Sequence, residues 1–396
     1  MGNDSMESKW KQGEREANGR WGHVGLFITR EPVILAVLSA VAVALFLGVA
    51  GLSHLYHNQQ RSLGDRWFRR GLADLNARNF GLAVTNFRAA LLYARDDYSY
   101  QLNLAEALLG LNRTAEAHAY LVNLWEREPE NGLVNLELAR IAVQVGETQK
   151  ALRYYHNAIY ATWPDEQEIQ RRDARLELID FLLRTNAKAQ AQSELIALAA
   201  NLGDESPLRK RVGDLFWQAE DYEHALAEYR QSLKTDRRNP QALAGAGLAA
   251  FRLGRYSLAQ RYLQNAISID PTDSESASRL NTAELVLRMD PFRRQIGAAA
   301  RNRVVIESFA IAHRRLISCS PQGESSDAVA TKQELLDAWN RMKPRITTSG
   351  LRRDPDLAEG AMDLVFRIER ETSGMCGTPT GEDAALLLLS KLHEGN

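Results

Sequence analysis

The sequence predicts an all-α protein with one N-terminal transmembrane helix, a solenoid of about six helical hairpins with a closing helix, and a small C-terminal helical domain. Three observations support this prediction: one long uncharged apolar segment, a repeated residue pattern, and a composition rich in Ala and Leu with 11 prolines in 396 residues. The formal net charge of -1 gives no electrostatic argument for nucleic-acid binding.

The apolar segment runs from Val33 to Leu52 and contains twenty residues without a charge. As a helix it is roughly 30 Å long, which matches the hydrocarbon thickness of a bilayer. Pro32 suits the first turn of such a helix. We therefore predict a transmembrane helix over residues 33–53 after an N-terminal tail at 1–32. A buried core helix and a cleaved signal peptide are the alternatives, but a signal peptide has a shorter apolar run of about 7–15 residues.

The direction of the predicted span does not follow from charge. The tail carries five Lys or Arg residues and the flank up to Arg70 carries four, and large domains translocate largely regardless of this balance. We expect a bacterial inner membrane with the body of the protein in the periplasm. This expectation depends on the form of the anchor and on the cysteine pair described below.

The body shows internal repeats. Alanines recur with spacings of 34, 34, 40, 34 and 34 residues, each followed four residues later by a large apolar or aromatic residue. Twelve residues before each alanine lies another position, which is Gly or Ala in five of six cases. Small residues let two helices cross closely, and the large residue fills the adjacent space. The alanines are Ala83, Ala117, Ala151, Ala191, Ala225 and Ala259.

This period resembles the tetratricopeptide repeat, a helix–turn–helix unit of 34 residues with small, large and proline residues at fixed places. The resemblance extends over about residues 63–271, with a closing helix at 274–289, so we predict a superhelix over 63–290. The 40-residue spacing adds about six residues between Pro164 and Glu177, and we expect them to lengthen a connection or helix and to bend the superhelix. The matching residues are Trp67, Gly71, Ala83 and Phe87, then Leu104, Ala117 and Pro129, and finally Gly247, Ala259, Ala266 and Pro271.

The resemblance implies a ligand groove lined by the first helix of each hairpin. The charges of the groove-facing candidates alternate in sign, so the family's basic clamp for a peptide carboxylate is not reproduced, and an extended polar peptide or a partner helix fits better. The alternative is that these residues are solvated charges on exposed helix faces. The candidates are Asn103, Glu106, Arg140, Gln144, Asp180, Arg184, Lys210, Asp214, Trp217 and Arg252.

Two aromatic residues near the added segment, Tyr160 and Trp163, are candidate anchors for a partner, because Tyr and Trp are favoured in interfaces. The alternative is that they pack between repeats, as is predicted for Tyr155.

The 34-residue repeat pattern ends at Pro291. We predict a helical domain over residues 296–396, with amphipathic stretches at 296–317, 332–341, 354–371 and 382–392. Both cysteines, Cys319 and Cys376, lie here at loop edges. In an oxidising compartment, a disulfide between them would stabilise a small domain. The alternative is two separate buried thiols.

The chain contains no phosphate-binding loop, no metal-binding His pair of the H-E-x-x-H type and no nucleophile elbow. We therefore expect no enzymatic activity, no cofactor, no metal, no nucleic acid and no small-molecule substrate. The hypothesis is a membrane-anchored scaffold that binds proteins or peptides for envelope assembly, secretion or maturation. A permanent structural subunit of a membrane complex and an enzyme hidden in the C-terminal domain are the alternatives.

Overall fold

The structure is a computed structural model that describes residues 30–163, 167–203, 206–320 and 326–393. Within these ranges the protein is all-α, without β-strands, and a single isolated bridge joins Asn131 to Thr162. The chain folds as two compact units, Met1–Gln167 and Glu168–Asn396. Most of the predicted tail, residues 1–29, lies outside the described residues.

The first helix, α1 (Arg30–Asn76), is 47 residues long and joins the predicted transmembrane segment to the first repeat without a break. Residues 53–62 contain neither proline nor glycine, so nothing in the backbone chemistry ends the helix there. Among the described residues this is the one helix that is long and apolar enough to cross a membrane, and its apolar part is fully exposed.

The first unit continues as antiparallel hairpins. The second half of α1 packs against α2, and each following first helix packs against its second helix. The helices are α2 (Phe80–Leu91), α3 (Tyr98–Gly110), α4 (Thr114–Arg127), α5 (Gly132–Gln144) and α6 (Thr148–Tyr160).

The second unit contains three further hairpins, a closing helix and the C-terminal helices. The hairpin helices are α7 (Gln167–Arg184), α8 (Lys188–Ala200), α9 (Ser206–Gln218), α10 (Tyr222–Thr235), α11 (Pro240–Arg252) and α12 (Tyr256–Ile269), and α13 (Ser274–Met289) follows them. α7 has 18 residues where α9 and α11 have 13, so added residues lengthen a helix. The bend expected there stays a prediction.

Each hairpin turns through one residue in the left-handed backbone region. After that residue, a backbone N–H donates to the carbonyl five residues earlier, as in a Schellman motif, which satisfies a carbonyl at the end of the first helix. Only two of the six residues are glycines, so the register of the repeat fixes this conformation even where the side chain disfavours it. The six residues are Arg78, Asn112, Gly146, Asn186, Glu220 and Gly254.

The small positions of the first helices lie directly against the large residues of the second helices. A Cβ added at Gly71 would lie 2.5 Å from the ring of Phe87, and one added at Gly247 would lie 2.6 Å from Leu263. Phe87 and Leu263 are fully buried. Hydrogen is therefore the only substituent that this helix separation accepts at these two positions.

The C-terminal helices share one apolar core with the repeats of the second unit. α18 packs along α13, where Arg288 Nη2 lies 3.3 Å from Glu382 Oε1. The side chain of Leu392 packs against the turn at Gly254. The helices are α14 (Ala298–Ser318), α15 (Ser326–Met342), α16 (Thr348–Arg353), α17 (Asp356–Cys376) and α18 (Gly381–His393), of which α16 was not predicted.

A disulfide joins Cys319, directly after α14, to Cys376, the last residue of α17, with their Cα atoms 5.6 Å apart. The Lys332 ammonium donates to the backbone carbonyl of Cys319 at 2.6 Å and ties α15 to the same point. Three C-terminal helices thus meet at one covalent crosslink.

A buried carboxyl lies beside the crosslinked helices. Glu369 on α17 is fully buried. Burial and the neighbouring carboxyl of Asp383 on α18 raise the pKa of Glu369 to about 8, although the guanidinium of Arg315 opposes the shift. Arg315 Nε lies 3.5 Å from the Glu369 carboxylate but donates at 3.0 Å to Thr372 Oγ1. Burial likewise raises the pKa of Asp383.

Gly247→Ala and Gly360→Ala make a matched pair, since both glycines lie inside helices of the second unit and nothing lies within 4 Å of a Cβ at Gly360. We expect Gly360→Ala to stabilise the protein by up to about 1 kcal/mol, and Gly247→Ala to destabilise it by about 1–3 kcal/mol because the new methyl clashes with Leu263. Thermal unfolding followed by circular dichroism measures both. Equal shifts for the two variants would contradict the close helix contact.

Glu369 makes stability depend on pH. Between the ordinary glutamate pKa of 4.5 and about 8, the folded protein holds a proton that the unfolded chain has lost. The free energy of unfolding therefore falls as pH rises through this window, by at most about 1.4 kcal/mol per pH unit from this group. We expect Glu369→Gln to flatten the fall and the exposed-site control Glu359→Gln to leave it unchanged. Denaturant unfolding from pH 5 to 9 tests this, and an unaltered slope in Glu369→Gln would contradict it.

Candidate functional site

Tyr229 on α10 positions the candidate site in the second unit. Its ring fills the space between two glycines, because a Cβ added at Gly213 on α9 would lie 2.8 Å from the ring, and one added at Gly245 on α11 would lie 2.5 Å away. The phenol passes between the two first helices and donates to Asp214 Oδ1 at 2.9 Å. Burial, with the nearby charge of Asp214 and this hydrogen bond, raises the pKa of Tyr229 strongly. The phenol therefore stays a neutral donor.

Beyond this phenol lies a cavity of about 290 Å³, which we call the α9–α11 pocket. Its lining combines apolar side chains with three carboxylates and the amide of Gln241. Two of the candidate groove residues, Asp214 and Trp217, belong to the lining. The full lining is Asp214, Trp217, Tyr229, Pro240, Gln241, Ala244, Gly245, Leu248, Ala266, Asp270 and Asp273.

The three carboxylates of the pocket have different partners. Asp214 Oδ2 lies 2.8 Å from the ammonium of Lys210, one turn earlier on α9. Asp270 accepts hydrogen bonds from the backbone N–H and the hydroxyl of Thr272. Asp273 caps α13, and hydrogen bonds from Ser276 lower its pKa. None of the lining residues is a lysine or an arginine.

Trp217 is half-buried at one edge of the pocket, where Arg252 from α11 approaches it. The ring of Trp217 meets Tyr222 edge-on at 5.0 Å between centroids. The guanidinium of Arg252 lies 5.9 Å from the Trp217 ring and 5.8 Å from the Tyr222 ring. The candidate residues of α9 and α11 thus converge on one place.

The two candidates on α7 do not line the α9–α11 pocket. Asp180 pairs at 3.8 Å with Arg211, and both side chains are about half exposed. Arg184 is exposed near the end of the helix. Such exposed pairs contribute little to stability, which agrees with the interpretation of these residues as solvated charges.

Four candidates lie in the first unit on α3 and α5. Asn103 donates to the Ser99 carbonyl of its own helix at 2.8 Å, and Gln144 is exposed. Glu106 is an exposed residue overall, yet desolvation of its carboxyl raises its pKa, and the charge of Arg140 opposes that shift. Arg140 also pairs with Glu137 on its own helix. This surface carries both signs of charge.

Trp163, a candidate anchor, is a core residue. It is 3% exposed and its indole N–H donates to the Ala158 carbonyl at 2.9 Å. Its ring lies over Gly132, where an added Cβ would approach to 2.3 Å. Trp163 is therefore corrected from partner anchor to packing residue, because the start of α5 closes over it. Tyr160 is 74% exposed, so it remains a candidate anchor for a partner.

The sequence did not point to several lining residues of the pocket, among them Gln241, Leu248, Asp270 and Asp273. One usable signal was present, because Gly213 and Gly245 accommodate the ring of Tyr229, which reaches the pocket. Also unpredicted is a surface cavity of about 870 Å³ on the first unit, lined mainly by α2, α4 and the segment after α2, including Arg88, Leu92 and Tyr120. Among the described residues no group of three or more His, Cys, Asp or Glu forms a metal site.

The sequence profile of the tetratricopeptide repeat family matches residues 68–131 and 212–274, one range in each compact unit. The second range contains all of the pocket lining, from Asp214 to Asp273.

Two curated proteins of Arabidopsis thaliana are similar to the chain. Inactive TPR repeat-containing thioredoxin TTL3 is 26% identical over 250 residues, which is 58% of this chain and 34% of that protein. Hsp70-Hsp90 organizing protein 2 is 22% identical over 225 residues, 55% of this chain and 38% of that protein. The matches thus span little more than a third of each relative's length.

Among solved structures, YrrB, described as a TPR protein with an unusual peptide-binding site, aligns with a TM-score of 0.39 and 17% identity. The alignment covers 48% of this chain and 95% of that one.

We expect truncation of the two aromatic candidates near the end of α6 to change the stability of the protein by very different amounts. Trp163→Ala is expected to lower the free energy of unfolding by about 3–5 kcal/mol, because it leaves a cavity beside Gly132 and removes the indole hydrogen bond to the Ala158 carbonyl. Tyr160→Ala, three residues away, is expected to change it by less than about 0.5 kcal/mol because the side chain is exposed. Denaturant unfolding compares them, and a tolerated Trp163→Ala would contradict the packing role.

Proposed function

The chain is a tetratricopeptide repeat protein, and from this premise we propose that it is a protein-binding scaffold whose α9–α11 pocket receives a segment of a partner protein. The observation that carries the proposal is the pocket itself, where Asp214 and Trp217 from α9 meet the apolar face of α11. A half-buried tryptophan beside apolar lining residues is a typical interface anchor. One relative is named Hsp70-Hsp90 organizing protein 2, which agrees with a scaffold role.

We further propose that α1 anchors the protein in a bacterial inner membrane and that both compact units lie in the periplasm. The exposure and apolar length of α1 support the anchor. The disulfide between Cys319 and Cys376 supports an oxidising compartment, since disulfides are rare where thiols are kept reduced. A scaffold so placed would serve envelope assembly, secretion or maturation, without catalysis of its own.

The binding role is tested with Trp217→Ala in the full-length chain. We expect partner proteins that co-purify with the wild type from native membranes in mild detergent to be reduced at least about thirtyfold, as for a hot-spot aromatic residue worth 2 kcal/mol or more. Ile196→Ala, at an exposed position on α8 outside the pocket, serves as the control. Unchanged co-purification with Trp217→Ala, at normal helix content, would refute the pocket as the binding site.

The compartment is tested by thiol alkylation in freshly isolated membranes. Cys319 and Cys376, the only cysteines, are expected to resist a maleimide reagent under denaturing conditions until a reductant is added. Free thiols before reduction would count against a periplasmic body.

A further inference from the structure

We infer that the α9–α11 pocket selects a positively charged side chain, an arginine or a lysine, on an extended segment of the partner protein. The inference deepens the proposed binding function and rests on it. The lining of the cavity contains three carboxylates and neither a lysine nor an arginine. This is the opposite of a site for a peptide's terminal carboxylate.

The carboxylates of the pocket outnumber the cations beside it. Asp214 accepts the phenol hydrogen of Tyr229 and lies 2.8 Å from the ammonium of Lys210. Asp273 accepts the backbone N–H of Ser276 at the start of α13, and hydrogen bonds from Ser276 lower the pKa of Asp273. With Lys210 beside Asp214 and Arg252 beside Trp217, the three carboxylates of the lining still outnumber these two cations.

The apolar part of the lining suits the stem of a long cationic side chain. Trp217, Ala244 and Leu248 line the same cavity as Asp270 and Asp273 of the loop between α12 and α13. Arginine and lysine bury their methylene stems on such surfaces while their charged ends reach polar groups, and a tryptophan ring attracts a cation. Arg252 already lies 5.9 Å from the Trp217 ring, so this ring accepts a guanidinium in the folded chain itself.

The size of the pocket favours a single side chain. About 290 Å³ is at the lower end of the range of about 300–1,000 Å³ that is typical for ligand pockets. An extended segment that inserts one residue here fits this volume, whereas a docked helix presents three or four anchors.

The test begins with a phage-displayed library of random dodecapeptides, selected on the full-length chain in nanodiscs. Selected peptides are then synthesised with the shared cationic residue kept or replaced by Gln or Glu, and their affinities are measured by fluorescence anisotropy. We expect peptides that depend on Trp217 to share one Arg or Lys, and its change to Gln to weaken binding at least about tenfold, with Glu weaker still.

Two variants of the chain sharpen the test. Asp270→Asn is expected to weaken binding of the cationic peptide several-fold and to leave its Gln version unchanged. Lys210→Gln removes the competing cation and is expected to strengthen binding of the cationic peptide, a gain that damage to the fold would not produce. Glu223→Gln, whose carboxylate pairs with Arg255 away from the pocket, is the control.

The outcomes separate this inference from the binding function. Peptides that depend on Trp217 but bind equally well with Arg, Gln or Glu overturn the cation selectivity and leave the scaffold role standing. A selection that yields no peptide dependent on Trp217 overturns both.

Discussion

The close approach of two helices within each hairpin is the constraint on which the rest of the structure depends. A glycine or alanine on the first helix faces a large residue on the second, as Gly71 faces Phe87 and Gly247 faces Leu263. A hairpin of this kind exposes an apolar face that only the next hairpin covers. The backbone of each turn then has to take a left-handed residue in the same place, even where that residue is Arg78 or Glu220.

The candidate site follows from the same constraint. Tyr229 has a glycine on both sides, Gly213 and Gly245, so its ring separates two neighbouring first helices while its hydroxyl holds Asp214. Because Gly245 has no side chain, the Tyr229 ring lies directly against α11, and both Tyr229 and Trp217 line the pocket. Packing inside the repeat thus places carboxylates beside aromatic rings.

The sequence predicted the fold well because the constraint is local and periodic. Spacing alone identified the helix pairs, and the closing helix at 274–289 agrees with α13. Spacing also placed Asp214 and Trp217 on one face of α9, and both line the α9–α11 pocket. It did not show that Trp163 is buried, because that depends on Gly132, thirty-one positions earlier. Nor did it reveal Asp270 and Asp273, since loop residues join a site only when helices bring them there. Nor did the sequence predict that α1 is continuous, because residues 53–62 belong neither to the apolar segment nor to the repeat pattern.

Site-specific photo-crosslinking in native membranes tests the central claim most directly. A benzophenone amino acid replaces Gln241, which lines the α9–α11 pocket, or Ser257, an exposed position on α12 outside it. If the α9–α11 pocket binds a partner, we expect a discrete protein adduct from position 241 that disappears with Trp217→Ala, and no adduct from position 257. Identical adducts from both positions, or an adduct at 241 that persists in Trp217→Ala, would contradict it.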